Sequence, residues 1–380
     1  MRSIAAIAGI FLIGVILWDG FETIILPRRV TRRVRLTRLF YRCTWIPWSA
    51  VAKWMKPGKR REALLSIYGP LSLLLLFFMW AVGLIFSFAL LHWAAGSAEV
   101  SFRESSTFWT DMYMSGTTFF TLGLGDITPH TRAARFITVL ESGTGFGFLA
   151  IVISYLPVLY GAFSRREVKI SLLDARAGSP PTAAELVRRH VRGQNLEALG
   201  QFLRDWEAWS AELMESHLSF PVLCYFRSQH DNQSWLAALT AVLDTCALLK
   251  SCAEGALQWQ AQLTFAISRH ALVDLAQVMH IPPKQPVADR LSENDLEQLR
   301  GLLASARVAV CSRAAAEQKL RDLRSTYEPY LNGFSERLLM PYPAWKVAAG
   351  RADNWKTSAW GKISSESSVP MGAGVDEEHR

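Results

Sequence analysis

Between Ile67 and Leu91 the chain runs for 25 residues without a charged side chain. As a helix rising 1.5 Å per residue, that run is long enough to cross a hydrocarbon layer of about 30 Å. Two more runs share this character. Ser3 to Trp18 is uncharged and extends through Asp19–Thr23 to Ile24, Ile25 and Leu26; Phe136 to Phe163 carries one charge, Glu141. A cleaved signal peptide competes for the first run. Arg2 is its only leading charge and no Ala-x-Ala-like site precedes Pro27, so an uncleaved span is the preferred reading. Three membrane helices are therefore expected.

The charge distribution orients them. Pro27 to Arg61 holds twelve Lys and Arg and no Asp or Glu, while the whole chain is only +8, so the remainder is net acidic. Short basic loops stay cytoplasmic. The N-terminus is then outside, and everything after Ser164 lies in the cytoplasm, in agreement with the Arg165-Arg166 pair. Val30, Val34, Leu36, Leu39, Phe40 and Cys43 alternate with arginines, and Trp45, Trp48 and Trp54 follow. Such a segment reads either as a helix on lipid headgroups or as a topology signal alone. In both readings the positive charge faces phospholipid, not nucleic acid. The five cysteines form no Cys-x-x-Cys pair, which excludes a disulfide framework or a zinc site.

Ser105 to Pro129 lies between the second and third spans and is too short to cross. It leaves and re-enters one face of the membrane, so its backbone must be kept off lipid. Ser105 or Ser106 can cap a short helix over 106–118. Thr121-Leu122-Gly123-Leu124-Gly125-Asp126 follows. Glycine takes positive φ at little cost, so Gly123 and Gly125, alternating with larger residues, allow successive carbonyls to face one axis. Rings of such carbonyls with the Thr121 hydroxyl can replace the hydration shell of a potassium ion. The negative C-terminal end of the short helix favours a cation below it.

With these residues the chain resembles the bacterial potassium-channel family with a single pore-loop domain. Tyr113, Ser115, Thr118, Thr121, Gly123, Gly125, Asp126, Ile127 and Pro129 match its pattern in identity and spacing, and the resemblance covers about 67–163. It implies an all-α membrane protein: a tetrameric pore domain at 63–163, with outer helix 67–91, pore helix 106–118, filter 121–126 and inner helix 136–163. An extra N-terminal helix (1–26) and a basic interfacial segment (27–62) would precede the pore. A helical cytoplasmic domain (164–340) and a mobile tail (341–380) would follow it.

Potassium would be the permeant ligand, held at the carbonyls of Thr121, Leu122, Gly123 and Leu124, with no other cofactor and no catalytic residue. Leu122 and Leu124 replace the family's usual valine and tyrosine, and Phe120 a common threonine. The tyrosine helps hold the filter open, so packing of Leu124 on Trp109, Tyr113 or Phe119 is expected instead. The departures keep a weakly selective cation channel, or a non-conducting sensor protein, as alternatives.

In the third span Gly143, Gly145 and Gly147 permit close packing or bending, and Gly145 and Gly147 are hinge candidates with Pro157. Glu141 is expected to face protein at the back of the filter near Thr117 or Thr118, because a mid-membrane carboxylate costs about 2.5–3.5 kcal/mol. Beyond Ser164 a capping box at Thr182–Glu185 opens a helix. Apolar spacing predicts helices at Leu196–Glu215, Trp235–Ala253, Leu257–His280 and Asn294–Thr326. Trp235–Leu249 is apolar enough for a membrane hairpin, but its length and Asp244 favour a bundle core.

No Gly-rich phosphate loop is present, which argues against a nucleotide-binding domain. His217, His230, Asp231 and His270 lack metal spacing, and Cys246 and Cys252 read as buried thiols. Phe220-Pro221 through Tyr225–His230 is a candidate partner or ligand surface with no ligand named. The gating stimulus and any cytoplasmic ligand are not encoded in a readable motif.

Overall fold

The longest uncharged run is part of one helix that continues well past it. The computed structural model describes residues 1–26, 35–96, 98–100, 107–192, 196–230, 232–305 and 313–345. Helix α1 (Arg2–Gly20) ends in a π-helical turn at Phe21–Ile25 and is followed by α2 (Leu36–Trp54). The outer helix α3 spans Lys59–Ala95, the short α4 Phe108–Phe119 and the inner helix α5 Arg132–Ala177. Strands β1 (Ala98–Val100) and β2 (Ile127–Pro129) pair antiparallel, Val100 against Ile127, beside the end of α4. Arg28, Arg29, Arg32 and Arg33 of the basic loop lie outside the described residues, as do Ser105 and Ser106.

Small residues bring the membrane helices together. α1 runs antiparallel to the upper part of α3, and a Cβ on Gly9 would stand 2.8 Å from Ser87 O. Gly83 likewise admits the tip of Ile16. Among the described residues four helices are long and apolar enough to cross a membrane: α1 with its π turn, α3, α5 and the later helix α8 (Trp235–Cys252). The last of these is 94 % buried within the protein. Its one acid, Asp244, pairs with Arg290 at 3.0 Å and accepts from the Tyr327 hydroxyl at 2.6 Å. Burial on all sides by protein explains its apolar sequence.

The rest of the C-terminal bundle consists of α6 (Ala183–Arg192), α7 (Leu196–Ser219), α9 (Ala256–Met279), α10 (Glu293–Ser305), α11 (Arg313–Ser325) and α12 (Glu328–Leu338). Thr182 Oγ1 caps α6 by accepting from Glu185 N at 3.3 Å. The single helix expected at Asn294–Thr326 is described as two, α10 and α11. Pro341–Trp345, assigned from sequence to the tail, is packed: Trp345 is buried, its carbonyl accepts from Ala184 N, and Pro343 O accepts from Arg290. An apolar tryptophan inside a Pro-rich stretch outweighs the composition around it.

Helix α2 does not project away from the protein. Thr37 meets Asp19 at the foot of α1, Thr44 Oγ1 lies 2.9 Å from the Tyr68 hydroxyl, and Trp48 Nε1 donates to Leu64 O. α2 therefore descends along the lower part of α3. Its Trp45 is buried and donates to Arg337 O in the bundle at 2.9 Å. The opposite face leaves Leu39, Ile46, Val51 and Trp54 exposed.

A short segment joins the bundle to the pore helices. Pro221–Tyr225 forms a 3-10 turn, and its neighbour Phe226 fills the notch at Gly69 on α3, where a Cβ would stand 2.7 Å from the Phe226 ring. Tyr225 stacks on Tyr41 with ring centroids 5.7 Å apart and also meets Trp45 and Tyr68. Arg166, 3 % exposed, reaches from α5 into this turn. It donates to Leu223 O at 3.0 Å and Phe226 O at 2.9 Å, and pairs with Glu167. Within the stretch read as a possible partner surface, Val222–Phe226 is thus an internal joint, while Gln229 and His230 stay exposed.

His217 completes the joint. Its Nδ1 faces Leu213 O at 2.9 Å and so carries the proton, leaving Nε2 to accept from Arg166 at 3.1 Å. Burial, and then the neighbouring guanidinium, hold its pKa well below the ordinary 6.5. The unfolded chain therefore binds this proton at higher pH than the folded one, and stability is lost as pH falls below 6.5. Denaturation of the detergent-solubilised protein should show an acid-side loss of up to about 1.4 kcal/mol per pH unit from this group. His217→Gln, which keeps an acceptor for Arg166, should flatten that slope.

Candidate functional site: the re-entrant loop

α4 begins at Phe108, with Thr107 as its cap; Thr107 N donates to Thr110 Oγ1 at 3.3 Å. The helix expected over 106–118 is described from Phe108 to Phe119, and Ser106 lies outside the described residues. At the other end the last carbonyls of α4 are used by the loop. Thr117 O accepts from Leu122 N at 2.7 Å, and Thr118 O from Thr121 N at 3.0 Å. Those two carbonyls, which a helix end leaves without intrahelical donors, set the first turn of Thr121–Asp126.

The backbone there alternates. Thr121, Gly123 and Gly125 take φ of +57°, +56° and +78°, whereas Leu122 and Leu124 do not enter the left-handed region. Glycine does this freely, but a threonine at positive φ costs about 1–2 kcal/mol. The side chains of Thr121 to Asp126 are exposed in the single chain, including Leu122 at 62 % and Leu124 at 65 %. Leu124 thus has no apolar cover from its own subunit. At the loop's far end Ile127 N donates to Asp126 Oδ1 at 3.1 Å.

Behind the loop stands Glu141, fully buried. It faces protein, but its partners are not Thr117 or Thr118. Its Oε2 lies 3.0 Å from His92 Nε2 on α3, and its Oε1 meets Ser115 Oγ on α4. Ser115 and Glu141 share the helix faces that look away from the loop, whereas Thr117 turns its hydroxyl to Met114 O. His92 gave no signal in sequence beyond being a single polar residue at the end of an apolar run.

The three hinge candidates differ. Gly145 is buried against the end of α4, where a Cβ would stand 2.0 Å from Phe119 O, so it is a packing contact. Gly147 lines an apolar cleft of about 350 Å³ with Ile16, Phe21, Trp80, Leu84 and Ile151. Pro157 sits within α5 without ending it; the helix continues to Ala177, beyond the 163 expected. Among the described residues no group of three His, Cys, Asp or Glu side chains is placed to hold a metal ion.

Comparison with known proteins locates this geometry. A family described as Ion channel matches residues 73–159. This segment is an ion-channel pore domain of the potassium-channel type. The chain is also 25 % identical over 260 residues to the uncharacterized membrane protein YdjJ of Bacillus subtilis (strain 168), covering 66 % of this chain and 74 % of that one. No solved structure matches. The protein is therefore a largely helical membrane protein with an ion-channel domain, and α1, α2 and the C-terminal bundle lie outside the matched segment.

The packing of Gly145 yields a direct test. Gly145→Ala forces α4 and α5 apart, and overpacking of this kind costs about 1–3 kcal/mol or more. A lower melting temperature in detergent is expected. Gly143→Ala, with nothing of its own chain within 4 Å, should leave the melt unchanged.

Proposed function

We propose that the protein is a passive potassium-selective channel of the plasma membrane, conducting through four Thr-Leu-Gly-Leu-Gly-Asp loops around one axis. The observation that carries this reading is the alternating backbone of Thr121–Gly125, which one chain leaves exposed on its open side. One subunit supplies one wall, so a homotetramer is the assembly that would complete rings of carbonyls from Thr121, Leu122, Gly123 and Leu124. The basic segment places α2 and the bundle in the cytoplasm and the N-terminus outside. The exposed Leu39, Ile46, Val51 and Trp54, with Arg42 and Lys53 also exposed, fit contact with lipid headgroups and the upper acyl region.

The bundle regulates opening or assembly through the joint at Arg166, since α5 carries both Gly145, packed on the end of α4, and that arginine. The second reading, a weakly selective cation channel, rests on Leu124. Its side chain has no hydrogen bond with which to hold the carbonyl ring at one diameter.

Flux from proteoliposomes decides between these readings. Potassium efflux well above sodium efflux is expected, and equal fluxes would establish the weakly selective alternative. Gly123→Ala puts a side chain on a left-handed residue in every subunit, at about 1–2 kcal/mol each. It should lower flux at least about tenfold with the tetramer still visible by native mass. Full flux in that variant, or a wild type seen only as a dimer, would contradict the four-loop pore.

A further inference from the structure

The side chains of His92, Ser115 and Glu141 lie where α3, α4 and α5 meet, and each is 0 % exposed. Three contacts join them in a line. His92 Nε2 is 3.0 Å from Glu141 Oε2, Glu141 Oε1 abuts Ser115 Oγ, and Ser115 Oγ is 2.7 Å from Ile85 O. Every such contact requires one proton between its two heavy atoms.

The donors can be counted. Ile85 O is a carbonyl and only accepts, so the single Ser115 proton is committed there. His92 supplies the proton toward Oε2. The contact between Oε1 and Ser115 Oγ then has no proton source except Glu141 itself. An ionised carboxylate is acceptor-only, and would leave two oxygens facing one another without a proton.

We propose that Glu141 is an uncharged carboxylic acid that donates to Ser115 while accepting from His92, and that this hydrogen-bonded line positions α4 for ion conduction. The second half of the statement rests on the channel reading above. The line ties α5 to α4, and α4 to the backbone of α3, two turns before His92. Seven residues separate Ile85 from His92, so α3 grips the acid and the serine at two levels of one face. With no net charge in the acid, the same residues can be buried within the membrane without a counter-ion. His92 and Glu141 are positioning residues in this scheme; neither touches the ion.

Glutamine is the uncharged isostere of a protonated glutamate, its N–H replacing the O–H and its carbonyl still accepting from His92. In proteoliposomes Glu141→Gln should conduct within about twofold of wild type, and Glu141→Ala about tenfold less, because it leaves buried partners unmatched. The infrared spectrum of the wild-type tetramer near neutral pH should contain a protonated-carboxyl C=O stretch that the Glu141→Gln difference spectrum removes. A Gln variant as impaired as the Ala variant, with its tetramer intact, would overturn the positioning role of the neutral acid. Absence of a lost carboxyl band would overturn its protonation. The band reads the proton whether or not the protein conducts, so a wild type without flux defeats the channel reading separately.

Discussion

An irregular backbone segment such as Thr121–Asp126 cannot stand alone inside a membrane. Each unpaired polar group in hydrocarbon costs several kcal/mol, so such a segment persists only within a protein cage. Much of the pore half of this chain answers that constraint. The end of α4 lends the carbonyls of Thr117 and Thr118 to the loop's first amides, and Gly145 lets α5 approach Phe119 closely. α1 and α3 then pack at Gly9 and Gly83, placing a further helix behind this cage.

The same inner helix that supports the loop also leaves the membrane and enters the bundle without a break. Arg166 is the point of attachment. Removing it would strand the carbonyl of Phe226 and leave Glu167 without its partner, which is the costly way to break a buried pair. Phe226 touches both pore helices, at Gly69 on α3 and at Phe163 and Tyr160 on α5. A shift of the bundle therefore acts on outer and inner helices together, while Tyr225 carries it to α2 through Tyr41 and Trp45.

Local chemistry was legible in the sequence wherever one residue type answers one need. Uncharged runs mark membrane-length helices, Gly123 and Gly125 mark positive φ, and Asp244 within Trp235–Cys252 argues for a protein surround. What escaped depended on pairings across distant parts of the chain. Glu141 announces a buried partner but not which one, since His92 and Ser115 are 49 and 26 residues away. Phe220-Pro221 through Tyr225–His230 read as a candidate partner or ligand surface because nothing local reveals that Gly69 leaves room for Phe226. For Gly145 the sequence left packing and bending both open for the same reason: the clash its Cβ would make is with a carbonyl 26 residues earlier. The β1–β2 pair was missed because three-residue strands carry no periodic signal.

The position of α2 follows from two demands on one short helix. Its tryptophan and tyrosine face must cover the lower part of α3, where Leu65, Tyr68 and Gly69 are apolar yet lie at the level of the bundle. Its other face carries Leu39, Ile46 and Val51 beside exposed basic residues. A helix of 19 residues with apolar character on both sides and basic residues between them suits a place between protein and lipid better than either alone. The basic collar is thereby held by Trp45 and Tyr41 against the same aromatic cluster that receives Tyr225. α2, the bundle and the outer helix thus share one set of rings, and none of them can move far without disturbing the others.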